Sequence, residues 1–237
     1  MGTKSRRASR AKPDQPPTAA DSPEGAADPR DEEILRAAFA VFTEKGFHGA
    51  TMLDVASRAR ASKTTLYSRF ESKEVLFQAL TAWGTRQGTD ALDAIIRDPT
   101  LDPLAALHRF AARLLAQMLQ PEKLALFRIA VAEGGRLPEI GKIFSSFTRD
   151  HGVRSGYLIS RRLVQQGLIE IDDPEEYGHS LIGLLQGELF MRALIGAIPP
   201  PTAQEIESHA HRAMRRLVRA FAPDRHRQNG TRRKASR

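Results

Sequence analysis

Apolar residues recur at three- and four-residue spacing along most of the chain, which is the period of an amphipathic α-helix. The first such stripe follows three acidic residues, precedes Gly46, and consists of Ile34, Leu35, Ala38, Phe39 and Phe42. Further helices are predicted at 73–97, 103–118, 121–134, 138–148, 150–166, 174–194 and 202–221. The one β-like stretch, at 168–171, is too short and isolated for a sheet. The pattern therefore predicts an all-α protein.

Two short helices are predicted between the first stripe and residue 73, and the second of them has an unusual composition. Thr51 and Ser62 are good N-cap residues, and a tight break separates the two helices at residues 60–61. In the second helix only Leu66 and Phe70 point inward. Its other side chains are hydrogen-bond donors: Lys63, Thr64, Thr65, Tyr67, Ser68 and Arg69. Such a helix suits the major groove of DNA, where acidic groups would repel phosphates. A helix pair that merely caps a bundle remains the alternative from pattern alone.

The positive charge of the chain is unevenly distributed. The formal net charge is +8, of which residues 1–30 carry +2, residues 224–237 carry +5, and the sequence between them only +1. Total basicity is therefore weak evidence for an anionic partner. Residues 57–73, however, contain five basic residues and one acidic residue, a local charge of +4. This local excess favours nucleic acid as the partner of the second short helix.

Composition also excludes several classes of protein. There are no cysteines, so thiolate metal sites and cysteine nucleophiles are ruled out. No apolar run approaches the roughly 18 residues of a membrane span, and the first thirty residues do not form a secretory signal. Histidines are scattered, and no phosphate loop or nucleophile motif appears. We therefore expect a cytoplasmic, soluble protein without contact to a membrane, with no catalytic residue, metal ligand or cofactor.

The residues of the N-terminal region resemble the DNA-binding domain of the tetracycline-repressor (TetR) family. The resemblance spans about fifty residues, through Phe42-x3-Gly46-Phe47, Ala50-Thr51-Met52-x2-Val55-Ala56 and Ala61-Ser62-Lys63-x-Thr65-Leu66-Tyr67-x2-Phe70-x-Ser72-Lys73-Glu74-x-Leu76. It implies a homodimeric helix-turn-helix regulator, usually a repressor, that releases double-stranded operator DNA when a small molecule binds. A helical interaction scaffold without operator binding is the alternative function.

The resemblance also assigns candidate DNA-binding residues. It implies phosphate contacts for Thr51, Tyr67, Arg69 and Lys73, and a groove-facing position for Lys63, Thr64 and Thr65. Ser62 would cap the helix that enters the groove. Arg60 occupies a turn position where the family often has glycine. An arginine there costs about 1 kcal/mol if its φ is positive, and its side chain adds a candidate phosphate contact.

The C-terminal half resembles the AefR-like subgroup through residues 126–133 and 136–140. It would hold the unidentified small-molecule effector. The candidate pocket residues are Trp83, Phe110, Leu114, Phe127, Arg128, Phe144 and Phe147. For Arg128 and Glu133, which are polar residues in an apolar helix, a ligand contact and an internal ion pair explain the sequence equally well.

The helix at residues 179–191 is apolar nearly all round, and its paired glycines suggest close approach of another helix. Together with residues 157–164 it is a candidate four-helix dimer interface, for which an ordinary buried core helix is the alternative. The candidate interface residues are Tyr157, Arg161, Val164, Gly183, Gln186, Gly187 and Phe190.

The chain is thus expected to divide into four parts. Residues 1–29 form a disordered Pro-rich tail and residues 30–76 the helix-turn-helix domain. Residues 77–222 form a larger helical domain for ligand binding and dimerisation, and residues 223–237 a disordered basic tail.

Overall fold

The computed structural model describes residues 28–86 and 89–223. The predicted tails, 1–29 and 223–237, lie almost wholly outside these residues. The helices, in chain order, are α1 (Pro29–Gly49), α2 (Met52–Arg58), α3 (Lys63–Arg69), α4 (Lys73–Arg86), α5 (Thr89–Arg97), α6 (Pro103–Met118), α7 (Pro121–Gly134), α8 (Pro138–Gln165), α9 (Pro174–Leu194) and α10 (Ala203–Ala220). No strand occurs within the described ranges, which confirms the all-α prediction.

Helix α1 is interrupted where the sequence predicted its end. Gly46 has φ 70° and ψ 167°, a backbone region that is essentially restricted to glycine. The following residue, Phe47, is thereby turned back into the core, where its ring lies 5.4 Å from the Phe42 ring. The Ala50 N–H closes the turn by donating to the Gly46 carbonyl at 3.2 Å. This turn leads the chain from α1 into α2.

The sequence predicted two helices, at 138–148 and 150–166, where the structure has the single helix α8. It is one helix of 28 residues, because packing against α9 continues along it. A Cβ on Gly178 of α9 would lie 2.7 Å from the Cα of Val153, and one on Gly152 would lie 2.8 Å from Ile182 Cδ1. Glycine at these positions therefore allows α8 and α9 to cross closely.

The paired glycines of α9 have different surroundings within one subunit. A Cβ on Gly183 would meet nothing within 4 Å. Gly187 interrupts the helical geometry of α9 with φ 43° and ψ −152°. The ring of His209 lies beside this kink and is within 2.9 Å of the Leu185 carbonyl oxygen.

Two hydrophobic cores organise the described residues. The C-terminal core lies among α5–α10 and includes Phe110, which is fully buried. The N-terminal core lies among α1–α4 but also contains Leu126 and Ile129 of α7 and Ile140 of α8. Helix α7 therefore contributes to both cores, since its Leu124 belongs to the C-terminal one. No helix in the described part of the chain has the length and apolarity to cross a membrane.

Candidate nucleic-acid interface

Helix α3 presents its donor-rich face to solvent, as its composition predicted. Leu66 is fully buried and anchors the helix on the N-terminal core. Lys63, Thr64 and Tyr67 are exposed, and the Lys63 ammonium lies 5.8 Å from the centroid of the Tyr67 ring. The i, i+4 spacing of Lys63 and Tyr67 places them on one side of the helix. Ser68 is not among the DNA-binding residues predicted from the sequence, although it too is exposed on α3.

Side-chain caps define where α3 and α2 begin. The Ser62 hydroxyl accepts from the Thr65 N–H at 3.0 Å and lies 2.8 Å from the Thr65 hydroxyl. Thr51 forms a capping box with Asp54, in which the Asp54 N–H donates to Thr51 Oγ1 at 3.1 Å and the Thr51 N–H donates to Asp54 Oδ2 at 2.9 Å. The Lys45 ammonium and the two donors of Thr51 lower the pKa of Asp54 to about 2.

The turn between α2 and α3 adopts the conformation that makes arginine costly there. Arg60 has φ 49°, in the left-handed region that disfavours a side chain by about 1 kcal/mol. Its backbone carbonyl accepts a bond of 3.0 Å from Arg30 Nη2 at the start of α1. Within the described ranges the Arg60 guanidinium has no acidic group within 4.0 Å, so its charge faces solvent uncompensated.

Two arginines counted in the local charge of +4 are paired with acids on α1. Arg58 makes a two-pronged ion pair with Glu44, with distances of 2.6 and 2.7 Å. This hydrogen bonding raises the pKa of Arg58 and lowers that of Glu44. Arg69 pairs with Asp28 and Asp31. The uncompensated positive charge of the interface therefore comes from Arg60, Lys63 and Lys73.

Lys73 lies at the start of α4 but its ammonium points back to the turn between α1 and α2. It donates to the Ala50 carbonyl at 2.9 Å and to the His48 carbonyl at 3.3 Å, and lies 4.6 Å from the Phe47 ring centroid. These contacts fix the turn that precedes Thr51, and no acid of the described part of the chain neutralises the charge of Lys73. The turn is thus tied to α4 by both packing and hydrogen bonds.

The far side of the same turn contacts α7. Glu133 Oε1 accepts from the His48 N–H at 3.4 Å and lies 3.6 Å from where a Cβ on Gly46 would stand. The other polar residue of this helix, Arg128, donates to the backbone carbonyls of Leu194 at 2.7 Å and Ala193 at 3.1 Å. Arg128 and Glu133 do not form an ion pair with each other. Of the two explanations that the sequence left open for these residues, the internal ion pair is therefore wrong. Helix α7 instead joins the α1–α2 turn to the end of α9.

The candidate effector residues do not all share one environment. Phe110 is fully buried in the C-terminal core, and Phe127, which contacts Phe190 at 4.9 Å between centroids, packs against it with Leu114. Trp83 packs instead against the N-terminal core. The side chains of Phe144 and Phe147 lie outside the described part of the structure. The pocket itself stays a prediction.

Most of the candidate interface residues are accessible to a partner. Arg161, Val164, Gly183 and Gly187 are exposed, and Tyr157 and Gln186 are half-buried. Phe190 is different, because it is 3% exposed and its ring packs on Phe127 inside the C-terminal core. Apolar periodicity alone did not distinguish it from the surface positions, and we remove it from the interface.

Comparison with known proteins agrees with this geometry. Residues 34–80 match the family described as bacterial regulatory proteins, tetR family, and residues 105–223 match the AefR-like transcriptional repressor, C-terminal domain. The transcriptional activator FasR of Mycolicibacterium smegmatis is 46% identical over 55 residues, which cover 22% of this chain and 25% of FasR. The chain thus matches only about a quarter of this curated relative.

Solved structures match over a longer part of the chain. A TetR-family regulator from Mesorhizobium loti aligns with a TM-score of 0.71 and 27% identity, covering 82% of this chain and 97% of the other. The Flavonoid-responsive Regulator FrrA aligns with a TM-score of 0.64 at the same identity and coverage. Fold and interface define a helix-turn-helix DNA-binding protein. The chain belongs to the TetR family of transcriptional regulators and carries an AefR-like C-terminal domain.

Proposed function

We propose that this protein is a dimeric repressor that binds a pseudo-palindromic operator and is released from it by a small molecule. The observation that carries the proposal is the exposed donor face of α3, with Lys63, Thr64 and Tyr67 unshielded by any acid on the same helix. A B-DNA major groove, about 12 Å wide, admits an α-helix, and these side chains can donate to phosphates and base edges. Family members bind operator DNA and act as dimers.

Repression and an effector are supported by the C-terminal half. The family matched over residues 105–223 is that of a repressor C-terminal domain, whereas the match to the activator FasR extends over only 55 residues. FrrA, which is similar over most of the chain, is a flavonoid-responsive regulator. The aromatic side chains of Phe110 and Phe127 suit a largely apolar effector, and we take these residues as part of its pocket. Helix α7, with residues in both cores, would connect that pocket to the α1–α2 turn.

Selection from a random duplex pool tests the proposal directly. Full-length protein should enrich duplexes that share two inverted half-sites, spaced by about one helical turn of DNA or slightly more. Lys63→Ala and Tyr67→Ala should lose binding to the recovered duplex while retaining wild-type helicity. Lys142→Ala removes the same charge from an exposed position on α8 and should bind like the wild type. Failure to enrich any sequence would reject operator binding.

Dimerisation through α8 and α9 is tested at Gly183. This residue is exposed and has open space around its Cβ position, so a side chain can leave the backbone there without meeting a neighbour in the same subunit. In a dimer whose interface contains Gly183, the indole would collide with the partner. Gly183→Trp is therefore expected to sediment as a monomer at concentrations where the wild type is dimeric. Gly135→Trp, also in open space, is the matched control, and an unchanged Gly183→Trp dimer would exclude this interface.

A further inference from the structure

Arg69, the last residue of α3, is held by two carboxylates at the start of α1. Its Nη1 atom lies 2.9 Å from Asp28 Oδ2 and also binds Asp31 Oδ1. Asp28 is the N-cap of α1 and accepts the Arg30 N–H at 2.9 Å, which fixes its carboxylate on that helix. The Arg69 and Asp31 side chains are only 31% and 33% exposed. We call Asp28, Asp31 and Arg69 the α1–α3 clamp.

The charge of the clamp argues against a phosphate contact. One guanidinium faces two carboxylates, so the group as a whole carries a net charge of −1. A phosphate that approaches Arg69 would also approach both carboxylates, and its attraction to the cation would be offset by repulsion from the two anions. Hydrogen bonds from the Arg30 N–H and from Arg69 keep the pKa of Asp28 below its usual value, so this carboxylate stays charged. Among residues 28–86 and 89–223, neither Arg60 nor Lys63 has an acidic partner within 4.0 Å.

The position of the clamp suits a mechanical role. Helix α3 has seven residues and buries only Leu66 among them, so few apolar contacts fix its orientation. The first turn of α1 holds the chain at both ends of α3. Arg30 binds the Arg60 carbonyl before α3 begins, and Asp28 and Asp31 bind Arg69 where it ends.

We propose that Arg69 is a positioning residue, which orients α3 by binding Asp28 and Asp31 and makes no contact with DNA phosphate. This replaces the phosphate contact that the family resemblance implied for Arg69. The inference rests on the proposed operator binding, since positioning of α3 matters for a helix that enters the groove.

Salt dependence separates positioning from phosphate binding. A cation that neutralises a phosphate contributes about 0.9 to the slope of log K against log[salt], or about 1.8 for two subunits. Arg69→Gln should bind the selected duplex several-fold more weakly than the wild type with an unchanged slope. Arg60→Gln, the matched control with an uncompensated guanidinium, should flatten the slope by about 1.8. An Arg69→Gln slope as flat as that of Arg60→Gln, or an unchanged affinity, would overturn the proposal.

Amide hydrogen exchange tests the clamp without DNA. The Leu66 and Phe70 N–H groups are bonded within the α3 segment and should exchange faster in Arg69→Gln. Asp31→Asn should also produce an increase, and the double variant should add little to Arg69→Gln because that change already removes the contact between Arg69 and Asp31. Additive increases would mean that the two residues do not act together and would overturn the clamp. If the wild type selects no duplex, operator binding fails, but this exchange result still decides whether the clamp exists.

If Arg69→Gln does not fold, Asp31→Asn breaks the same contact from the α1 side and takes its place in the salt titration. The clamp then predicts weaker binding with a slope no flatter than that of the wild type. A phosphate-binding Arg69 predicts tighter binding instead, because its charge is freed.

Discussion

Phe42→Ala is expected to destabilise the protein by about 3–5 kcal/mol, the usual cost of truncating a buried phenylalanine. Phe42 is fully buried in the N-terminal core, with the Phe47 ring at 5.4 Å and the Phe77 ring at 5.9 Å. These three rings join α1, the turn after Gly46 and α4. Because domains are commonly stable by only about 5–15 kcal/mol, the loss is a large fraction of the total. The folded fraction that can bind an operator should fall with it.

Urea unfolding at fixed protein concentration measures this effect. The midpoint should shift strongly to lower urea for Phe42→Ala. Leu53→Ala, at a side chain that is 58% exposed on α2, serves as the control and should change stability by less than about 0.5 kcal/mol. Equal midpoints for the two variants would show that the aromatic cluster does not hold the DNA-binding region together.

Leu126→Ala is expected to cost about 2–5 kcal/mol, although Leu126 lies in the C-terminal half of the sequence. The side chain is 6% exposed and belongs to the N-terminal core, and its Cδ1 lies 3.3 Å from where a Cβ on Gly84 of α4 would stand. The substitution leaves a cavity between α7 and the DNA-binding region. We therefore expect it to reduce operator affinity as well as stability, by loosening the contact between the two parts of the chain.

The exposed neighbour Val131 supplies the comparison on the same helix. It is 72% exposed, so Val131→Ala should remain within about 0.5 kcal/mol of the wild type. A Leu126→Ala protein as stable as Val131→Ala would contradict the shared core. Operator affinity is then measured under conditions where more than nine tenths of each variant is folded, which separates looser coupling from simple unfolding.

Local features of the DNA-binding region were predictable from the sequence because they depend on neighbouring residues. Thr51 and Ser62 cap their helices, Gly46 interrupts the first helix, and the donor-rich face of α3 is exposed. A glycine in a positive-φ turn or a hydroxyl at an N-cap follows from steric and hydrogen-bonding rules that act within a few residues.

Long-range features were not predictable in the same way. The ion pairs of Arg58 with Glu44 and of Arg69 with Asp31 join residues that are 14 and 38 positions apart. Counting charges along one segment therefore overestimated the free positive charge of the interface. The continuity of α8 depends on contacts with α9, and the burial of Phe190 depends on Phe127 of α7. Periodicity records which positions are apolar but does not show which neighbour covers them.

A salt titration of operator binding tests the central claim, that α3 and its surroundings bind duplex DNA through uncompensated cations. The local charge of +4 at residues 57–73 would correspond to about four neutralised phosphates per subunit and a slope of roughly −7. Pairing of Arg58 and Arg69 leaves Arg60, Lys63 and Lys73, and three cations in each of two subunits give a slope of roughly −5. Fluorescence anisotropy with the selected duplex across a range of salt concentrations measures it. A slope of roughly −5 is the result we predict, and a slope near zero would contradict the account.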